Sequence, residues 1–183
     1  MEIADSSRKL SYYDPASGWV PLRYADTFVR QNISGVSRLL IASSSNSVDL
    51  LSELISFYSG PFQLVYLLVT PPEDQEPARF EVSDVSAETL IGFLSEFREF
   101  LSTDGRHHVW IHSSAGGTLI LDEHDWIYAY GSLDALSGFL TERGFGEGMP
   151  ELPYPHIHHE REELDGELDR LLGAFDWKAS KLS

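Results

Sequence analysis

The sequence predicts an α/β (α+β) fold in which one domain, residues 1–183, builds a mixed β-sheet flanked by helices. Short apolar runs alternate with segments whose apolar residues recur every three or four positions, as strands and helices do. Residues 38–70 hold a strand, a helix and a strand in succession, as in a βαβ unit. Residues 107–130 hold three strand patterns separated by tight turns, as in an antiparallel meander. A hydrophobic fraction of 42% supplies apolar material for a core.

The N-terminal third opens with an aromatic-rich segment, residues 1–20, that is predicted to pack on the body as an ordered arm around a turn at 14–15. Pro21 is a favoured first-turn residue, and apolar residues at helical spacing follow it, so a helix is predicted to begin there. The next apolar run predicts the first strand of the βαβ unit. Asn46 or Ser47 is placed to cap the helix that follows.

The middle of the chain predicts one central and one peripheral strand. Residues 62–70 are apolar on both alternating faces, which indicates a central strand of the sheet. A proline-rich acidic loop, residues 71–77, separates it from a short edge strand at 78–82. A helix is predicted over residues 86–101, with Ser86 as its N-cap.

Two helices are predicted after the meander. The first covers residues 133–143, and Gly144 supplies the left-handed residue that commonly ends a helix. A loop rich in glycine and proline then leads to a last helix, whose apolar stripe begins at Leu164. The fold is therefore expected to place helices on at least one face of the sheet.

Charge is the most unusual global property, since 13 Lys and Arg oppose 29 Asp and Glu for a formal net charge of −16. Such a field repels nucleic acids and anionic membranes and attracts a basic protein. Cysteine is absent, which excludes disulfides, zinc–thiolate sites and cysteine nucleophiles. No signal-like segment opens the sequence, and the longest apolar run, residues 64–69, is too short to span a bilayer, so a soluble cytoplasmic protein is expected.

The histidine-rich segment near the C-terminus is a candidate site for a divalent metal. His156, His158, His159 and Glu163 offer imidazole and carboxylate ligands, which suit zinc and similar ions. In an extended segment His156 and His158 point the same way, and His159 points the opposite way. In a helix that begins near His158, His159 and Glu163 share a face.

Further ligands for such an ion would come from across the sheet, with His124, His112 and Asp122 as candidates. The spacing matches neither a helical H-E-x-x-H motif nor a zinc deaminase motif. The alternative interpretation is structural, because carboxylates suit the first turn of a helix and loop histidines can hydrogen-bond the backbone. A third interpretation is a protein-contact surface that responds to pH.

The turn that contains Asp122, Glu123, His124 and Asp125 is a separate and weaker candidate. Turns rich in aspartate can bind calcium or magnesium. The spacing lacks the EF-hand pattern, and aspartate is common in turns for conformational reasons. We therefore favour the interpretation that these residues form a turn for conformational reasons over the interpretation that they bind a metal ion.

Two surfaces are candidates for binding a partner. Trp126, Tyr128 and Tyr130 alternate along one strand and share a face, which suits a binding platform, a homodimer interface or core packing under a helix. Between residues 147 and 170 eight carboxylates face only two arginines, Arg161 and Arg170. The carboxylates predicted to form the binding face are Glu160, Glu162, Glu163 and Asp165.

The function favoured by the sequence is a non-catalytic, acidic protein-binding module without a cofactor, such as a bacterial immunity or inhibitor protein for a basic toxin or nuclease. No P-loop, dinucleotide fingerprint or serine-nucleophile elbow supports an enzyme. Acidic single-domain proteins of this size often serve as immunity proteins, which is an analogy of class. The second interpretation is a metal-dependent enzyme that uses His156, His158, His159 and Glu163. The third is a structural homodimer.

Overall fold

A computed structural model describes residues 8–73 and 75–182 of the chain. In this part, twelve strands form two sheets and five α-helices accompany them, which confirms the mixed α+β class. The strands are β1 (Leu10–Asp14), β2 (Gly18–Pro21), β3 (Thr27–Ile33), β4 (Val36–Ala42), β5 (Phe62–Leu68), β6 (Ala78–Val85), β7 (His107–Ser113), β8 (Thr118–Leu121), β9 (Ile127–Tyr130), β10 (Gly146–Glu147), β11 (His156–His158) and β12 (Lys178–Lys181). The helices are α1 (Ser47–Leu54), α2 (Ala87–Glu96), α3 (Arg98–Thr103), α4 (Leu133–Glu142) and α5 (Asp165–Leu172).

Nine strands form the main sheet in the order β10-β3-β4-β9-β8-β7-β5-β6-β12, and three form a small sheet in the order β11-β1-β2. Strands β7, β8 and β9 pair antiparallel in sequence, as the meander prediction requires. The predicted βαβ unit corresponds to β4, α1 and β5. The antiparallel pairs between them make β4 and β5 run in the same direction, with the meander lying between the two strands.

The helices and the main core lie on one face of the main sheet. Leu39 and Ile41 alternate with Leu40 along β4, and both are fully buried in the core that the helices cover. Leu94 of α2 and Leu168 of α5 enter the same core. Burying each of these side chains stabilises the fold by about 1.5–3 kcal/mol, so the alternation of β4 sets which face receives helices.

The predicted helix signals are confirmed where side chains cap the backbone. The Asn46 side chain accepts hydrogen bonds from the amides of Val48 and Asp49, and the Ser86 hydroxyl accepts one from Thr89. The helix predicted over 86–101 is divided at Phe97 into α2 and α3. These caps satisfy amides that have no partner in the first turn of a helix.

The helix predicted to begin at Pro21 is wrong, because Pro21 ends strand β2 and the chain forms strand β3 from Thr27 onward. All seven residues of β3 pair with β4, and Phe28 alone among them is fully buried. The helical spacing of apolar residues was coincidental, whereas the cross-strand hydrogen bonds satisfy the whole segment. Val29 and Thr27 are β-branched residues, which favour a strand.

The peripheral strand and the last helix also differ from the prediction. Strand β6 has eight residues and pairs with both β5 and β12, so it is not an edge strand. The last helix begins at Asp165, because β11 pairs with β1 and a short 3₁₀ turn, Glu162–Leu164, precedes α5. The predicted arm forms the β1–β2 hairpin, and its first seven residues lie outside the described part of the chain.

Over residues 8–73 and 75–182, none of the helices has both the length and the apolar character needed to cross a membrane.

Candidate metal centre

Strand β11 presents two histidines on the same side of the small sheet. It pairs antiparallel with β1, placing His158 opposite Leu10 and His156 opposite Tyr12. Since side chains alternate along a strand, His156 and His158 share one face. The extended-segment prediction therefore describes this pair, and the helical alternative does not, because residues 158–161 are not helical.

A third histidine, His124, lies in the turn that joins β8 to β9. One carboxylate oxygen of Asp122, Oδ1, accepts hydrogen bonds from the backbone amides of His124 at 3.0 Å and Trp126 at 2.9 Å. Asp125 takes a left-handed backbone conformation with φ of 65°. Aspartate suits such turns because its short side chain can bond the backbone two residues on.

Three carbonyl oxygens of this turn accept hydrogen bonds from side chains of other elements. The ammonium group of Lys9 donates to the carbonyl of Asp122 at 3.0 Å, and the hydroxyl of Tyr24 donates to that of His124 at 2.9 Å. The hydroxyl of Ser47 donates to the carbonyl of Asp125 at 3.2 Å. Lys9 is only 1% exposed, and burial lowers its pKa despite the nearby carboxylates. The turn is therefore fixed by groups that come from other elements of the fold.

The three imidazoles converge. The ring centroids of His124 and His158 are 5.0 Å apart, those of His156 and His158 5.6 Å, and those of His124 and His156 5.8 Å. One ligand nitrogen of each ring lies within 4.8 Å of those of the other two. Three imidazoles on one tetrahedral zinc ion, with zinc–nitrogen distances of about 2.0–2.1 Å, have centroids about 5 Å apart. The observed spacing is close to that geometry.

Hydrogen bonds of the second ring nitrogen orient two of the three imidazoles. Nδ1 of His156 lies 3.0 Å from the carbonyl oxygen of Pro153, and Nδ1 of His124 lies 3.4 Å from Oδ2 of Asp122. A histidine that binds a metal through one nitrogen commonly donates from the other to a carbonyl or carboxylate. This pattern leaves Nε2 of His124 and of His156 for an ion.

The third imidazole, that of His158, is held by packing. Its Nδ1 is buried and has no hydrogen-bond partner in the described part of the chain. It packs against Gly105, where a Cβ atom would lie 3.1 Å from Cβ of His158 and 3.3 Å from its Nδ1. Only glycine leaves this space free, so the absence of a side chain at 105 sets the position of the ring.

The three rings do not share one electrostatic environment. The hydrogen bond to Asp122 raises the pKa of His124. Burial lowers the pKa of His158, and the neighbouring charge of His124 lowers it further. Protonated rings at these distances repel one another, whereas neutral rings offer lone pairs to a cation.

Glu123 adds a carboxylate beside the imidazoles. Its Oε1 lies 3.5 Å from Nδ1 of His124, and its Oε2 contacts Nε2 of His108 on β7. Glu123 and His158 both line an open cleft of about 290 Å³, together with Thr70 and Glu160. Of the three imidazoles, that of His158 lines this cleft, so solvent reaches that ring there.

A buried ion pair anchors the segment that follows β11. Asp104 and Arg106 are both buried, with 2.7 Å between Oδ2 and Nη2, and Oδ2 of Asp104 also accepts the backbone amide of Arg161 at 3.0 Å. The backbone amide of Gly105 donates to the carbonyl of His159 at 2.9 Å. These contacts tie the small sheet to the main sheet next to His158.

The remaining predicted ligands lie apart from the cluster. His159 points away from it, and its Nε2 is hydrogen-bonded to the hydroxyl of Ser11 at 2.9 Å. The Glu163 side chain is 66% exposed and lies 3.7 Å from Arg161. His112 is bonded to Thr118 on the neighbouring strand. The structure thus brings together His156, His158 and His124, and leaves His159 and Glu163 outside.

The rings of the predicted aromatic row contact different residues. Tyr128 and Tyr130 lie on the sheet face opposite the helices, where the guanidinium of Arg38 stacks 4.4 Å from the Tyr128 ring and donates to the Tyr130 hydroxyl at 3.2 Å. Trp126 instead packs against Tyr24, with ring centroids 6.1 Å apart, in a second small core. Tyr128 and Tyr130 thus contact Arg38, and Trp126 contacts Tyr24.

Most of the predicted acidic face is exposed. Glu160, Glu162 and Glu163 face solvent, whereas Asp165 is partly buried and pairs with Arg106 at 2.8 Å. Asp165 thus belongs to the internal ion pairs of the protein.

Sequence reasoning did not identify the parts that Lys9, Glu123 and His108 play around the cluster. The pairing of β1 with β11 and the packing of the small sheet on the β8–β9 turn bring them together. The available signal was a histidine in the predicted turn at 124 and the histidines of the predicted loop at 156 and 158, but nothing in the linear pattern joined them.

Comparisons of this chain with protein-family models, with curated proteins and with solved structures each find no match.

Proposed function

We propose that the protein binds a divalent transition-metal ion of the zinc type through His124, His156 and His158. The observation that carries the proposal is the convergence of three imidazoles at the spacing expected for one tetrahedral ion. Imidazole is a borderline ligand that suits zinc, copper, iron and nickel rather than calcium or magnesium. The site is therefore assigned to that group of metals.

The surroundings of the rings support this assignment over purely structural packing. Nδ1 of His124 lies against Oδ2 of Asp122 and Nδ1 of His156 lies against the carbonyl oxygen of Pro153, so Nε2 of each ring is left for a ligand. Nδ1 of His158 is buried without a hydrogen-bond partner in the described part of the chain, although buried polar atoms are normally paired. An ion at the centre of the three rings would bind one nitrogen of each.

Metal titration of untagged protein tests the proposal. Wild-type protein, stripped with chelator, is expected to bind one equivalent of Zn²⁺ by calorimetry. At a free concentration 100-fold above the dissociation constant, Zn²⁺ is expected to stabilise the fold by about 2.7 kcal/mol. His124→Ala and His156→Ala are expected to lose this binding, because each removes one ligand.

The matched control is His112→Ala, which removes a half-buried imidazole that is bonded to Thr118 and lies outside the cluster. This variant is expected to bind Zn²⁺ as wild type does. Wild-type protein that binds no stoichiometric Zn²⁺, Co²⁺ or Ni²⁺, or a His124→Ala variant that binds as tightly as wild type, would contradict the proposal.

Binding of a basic protein is a second candidate function, favoured by the exposed carboxylates of Glu160, Glu162 and Glu163. A cationic toxin or nuclease is the kind of partner that this surface and the net charge of −16 would attract. Retention of a defined cationic nuclease at low salt, lost in a variant with these three residues changed to glutamine, supports it. Equal retention by both proteins contradicts it. The cytoplasm stays the predicted compartment for either function.

A further inference from the structure

A groove of about 410 Å³ lies beside the imidazole cluster, and none of the three histidines lines it. Its apolar lining residues are Tyr12, Leu22, Tyr24, Met149, Pro150 and Pro153. Leu22, Tyr24 and Pro150 are buried, whereas Met149 is 56% exposed, so the groove reaches from the interior to solvent. Sites for small molecules commonly have volumes of about 300–1,000 Å³ and mostly apolar walls. The groove has the size and the lining of such a site.

The charges in the groove cancel, although the protein as a whole is strongly acidic. Arg23 and Glu151 also line the groove and carry one charge of each sign, whereas the chain has a net charge of −16. A groove without net charge gives an ion no electrostatic advantage over a neutral molecule. Tyrosine rings offer flat apolar surfaces that pack against another ring. The class of ligand that fits this groove is therefore a small uncharged aromatic molecule.

Three residues that line the groove contact two of the proposed metal ligands. The hydroxyl of Tyr24 donates to the carbonyl of His124 at 2.9 Å. The carbonyl oxygen of Pro153 lies 3.0 Å from Nδ1 of His156, and Tyr12 is opposite His156 in the pairing of β1 with β11. An ion bound by His124 and His156 would therefore fix Tyr24 and Pro153 relative to each other.

We infer that this groove binds a small uncharged aromatic molecule, and that the metal ion and this molecule increase each other's affinity. The inference rests on the proposed metal function. An ion that fixes the walls of the groove removes part of the ordering cost that a ligand meets on binding. Because coupling between two binding sites is reciprocal, the aromatic molecule raises the affinity for the metal by the same factor.

Titration with N-phenyl-1-naphthylamine, an uncharged aromatic probe whose fluorescence rises in apolar surroundings, tests the coupling. The probe is expected to bind chelator-stripped wild type, and to bind the Zn²⁺-loaded protein about fivefold more tightly, the lower end of typical couplings. Zn²⁺ is expected to bind more tightly by the same factor when the probe is saturating. If Zn²⁺ binds but the probe does not bind, or binds equally with and without Zn²⁺, the inference is wrong while the metal proposal stands. If no Zn²⁺ binds, both are wrong.

A charge placed in the groove tests where the probe binds. Met149→Asp is expected to weaken binding of the probe by about tenfold or more, because a carboxylate then faces an apolar ligand. Ile91→Asp, at a 43% exposed position on α2, is the matched control and is expected to bind the probe as wild type does. If Met149→Asp binds the probe as tightly as this control, the probe lies elsewhere and the inference is wrong.

Removal of the Tyr24 hydroxyl tests the contact that joins the two sites. Tyr24→Phe keeps the ring in the groove and is expected to bind both Zn²⁺ and the probe, with weaker coupling between them. Tyr58→Phe is the matched control, because its hydroxyl is bonded to the carbonyls of Tyr130 and Gly131 instead, and it is expected to keep the full coupling. Equal coupling in the two variants would show that this contact does not join the sites and would overturn the inference.

Discussion

The buried Asp104–Arg106 pair and the imidazole cluster occupy neighbouring segments, yet their hydrogen bonding differs. The Asp104 carboxylate is fully buried and accepts hydrogen bonds from the Arg106 guanidinium and from the backbone amides of Arg106 and Arg161. Burial acts to raise the pKa of Asp104, but these hydrogen bonds outweigh it and the pKa lies below its ordinary value. Each charge in this pair has its partner inside the protein.

The imidazole cluster is half-buried, and one of its nitrogens, Nδ1 of His158, is buried without a hydrogen-bond partner in the described part of the chain. A fully satisfied polar group holds the fold together, whereas a group with unsatisfied atoms lowers stability unless something from outside binds it. The comparison therefore contrasts a satisfied ion pair with a cluster of converging imidazoles in which Nδ1 of His158 has no partner among the described residues. Changes on the structural side should alter folding without metal, and changes on the other side should alter metal binding.

The largest expected effect on the free energy of unfolding comes from breaking the buried Asp104–Arg106 pair. Asp104→Asn removes the charge that neutralises buried Arg106 and is expected to lower the free energy of unfolding by about 3 kcal/mol, because a buried ion pair is then broken. The pairing of Arg106 with Asp165 keeps the loss near the lower end of the usual range. Urea denaturation of metal-free protein measures it.

Asp49→Asn is the control for this change. Asp49 pairs with Arg98 at 2.6 Å, but both side chains are about half exposed, so the loss is expected to be below about 1 kcal/mol. Equal losses in the two variants would remove the distinction between the buried pair and an ordinary surface pair.

The second prediction concerns His107, which belongs to the structural side because it is fully buried near Lys9 and Asp104. Burial lowers its pKa to about 3, and the charge of Lys9 acts in the same direction. The unfolded chain takes up this proton below about pH 6.5 and the folded chain does not, so stability is present above 6.5 and is lost as pH falls toward 3. Between pH 7.5 and 5 the loss is expected to be about 2 kcal/mol.

His107→Phe keeps a ring between Tyr66 and Phe100 and removes the titration. Urea denaturation at the two pH values, in the presence of chelator, should show a pH-dependent loss smaller by about 2 kcal/mol in the variant. The same loss in both proteins would mean that His107 does not titrate in the unfolded chain as expected.

The smallest expected effect comes from Gly105, which lies between Asp104 and Arg106 in the sequence and packs against His158 of the imidazole cluster. Gly105→Ala places a methyl group 3.1 Å from Cβ of His158, so the ring must shift by a few tenths of an ångström. The affinity for Zn²⁺ is expected to fall by about tenfold, the lower end of what changes next to metal ligands cost. Gly138→Ala on α4, where a Cβ meets open space, is the control and should bind Zn²⁺ normally. Equal affinity in the two variants would show that packing at 105 does not position His158.

The sequence predicted the meander, the caps at Asn46 and Ser86, and the shared orientation of His156 and His158, because each depends on neighbouring residues. It predicted a helix where β3 forms, because that segment becomes a strand by pairing with β4, which follows it in the sequence after a turn. It also placed His159 and Glu163 together on a helix, which the pairing of β11 with β1 prevents. His124 was predicted only as one of three possible further ligands, because its choice depends on contacts between the small sheet and the β8–β9 turn, which no local pattern encodes.

Two of the three imidazoles come from the small sheet and one from the β8–β9 turn of the main sheet, and this origin has a mechanical consequence. An ion shared by His124 and His156 would close a loop of roughly 30 residues, and a cross-link of that length restricts the unfolded chain by about 4 kcal/mol in the loop-entropy view. In a polypeptide without cysteine, a coordinated cation is then a reversible counterpart of a disulfide bridge, opened by chelation rather than by reduction.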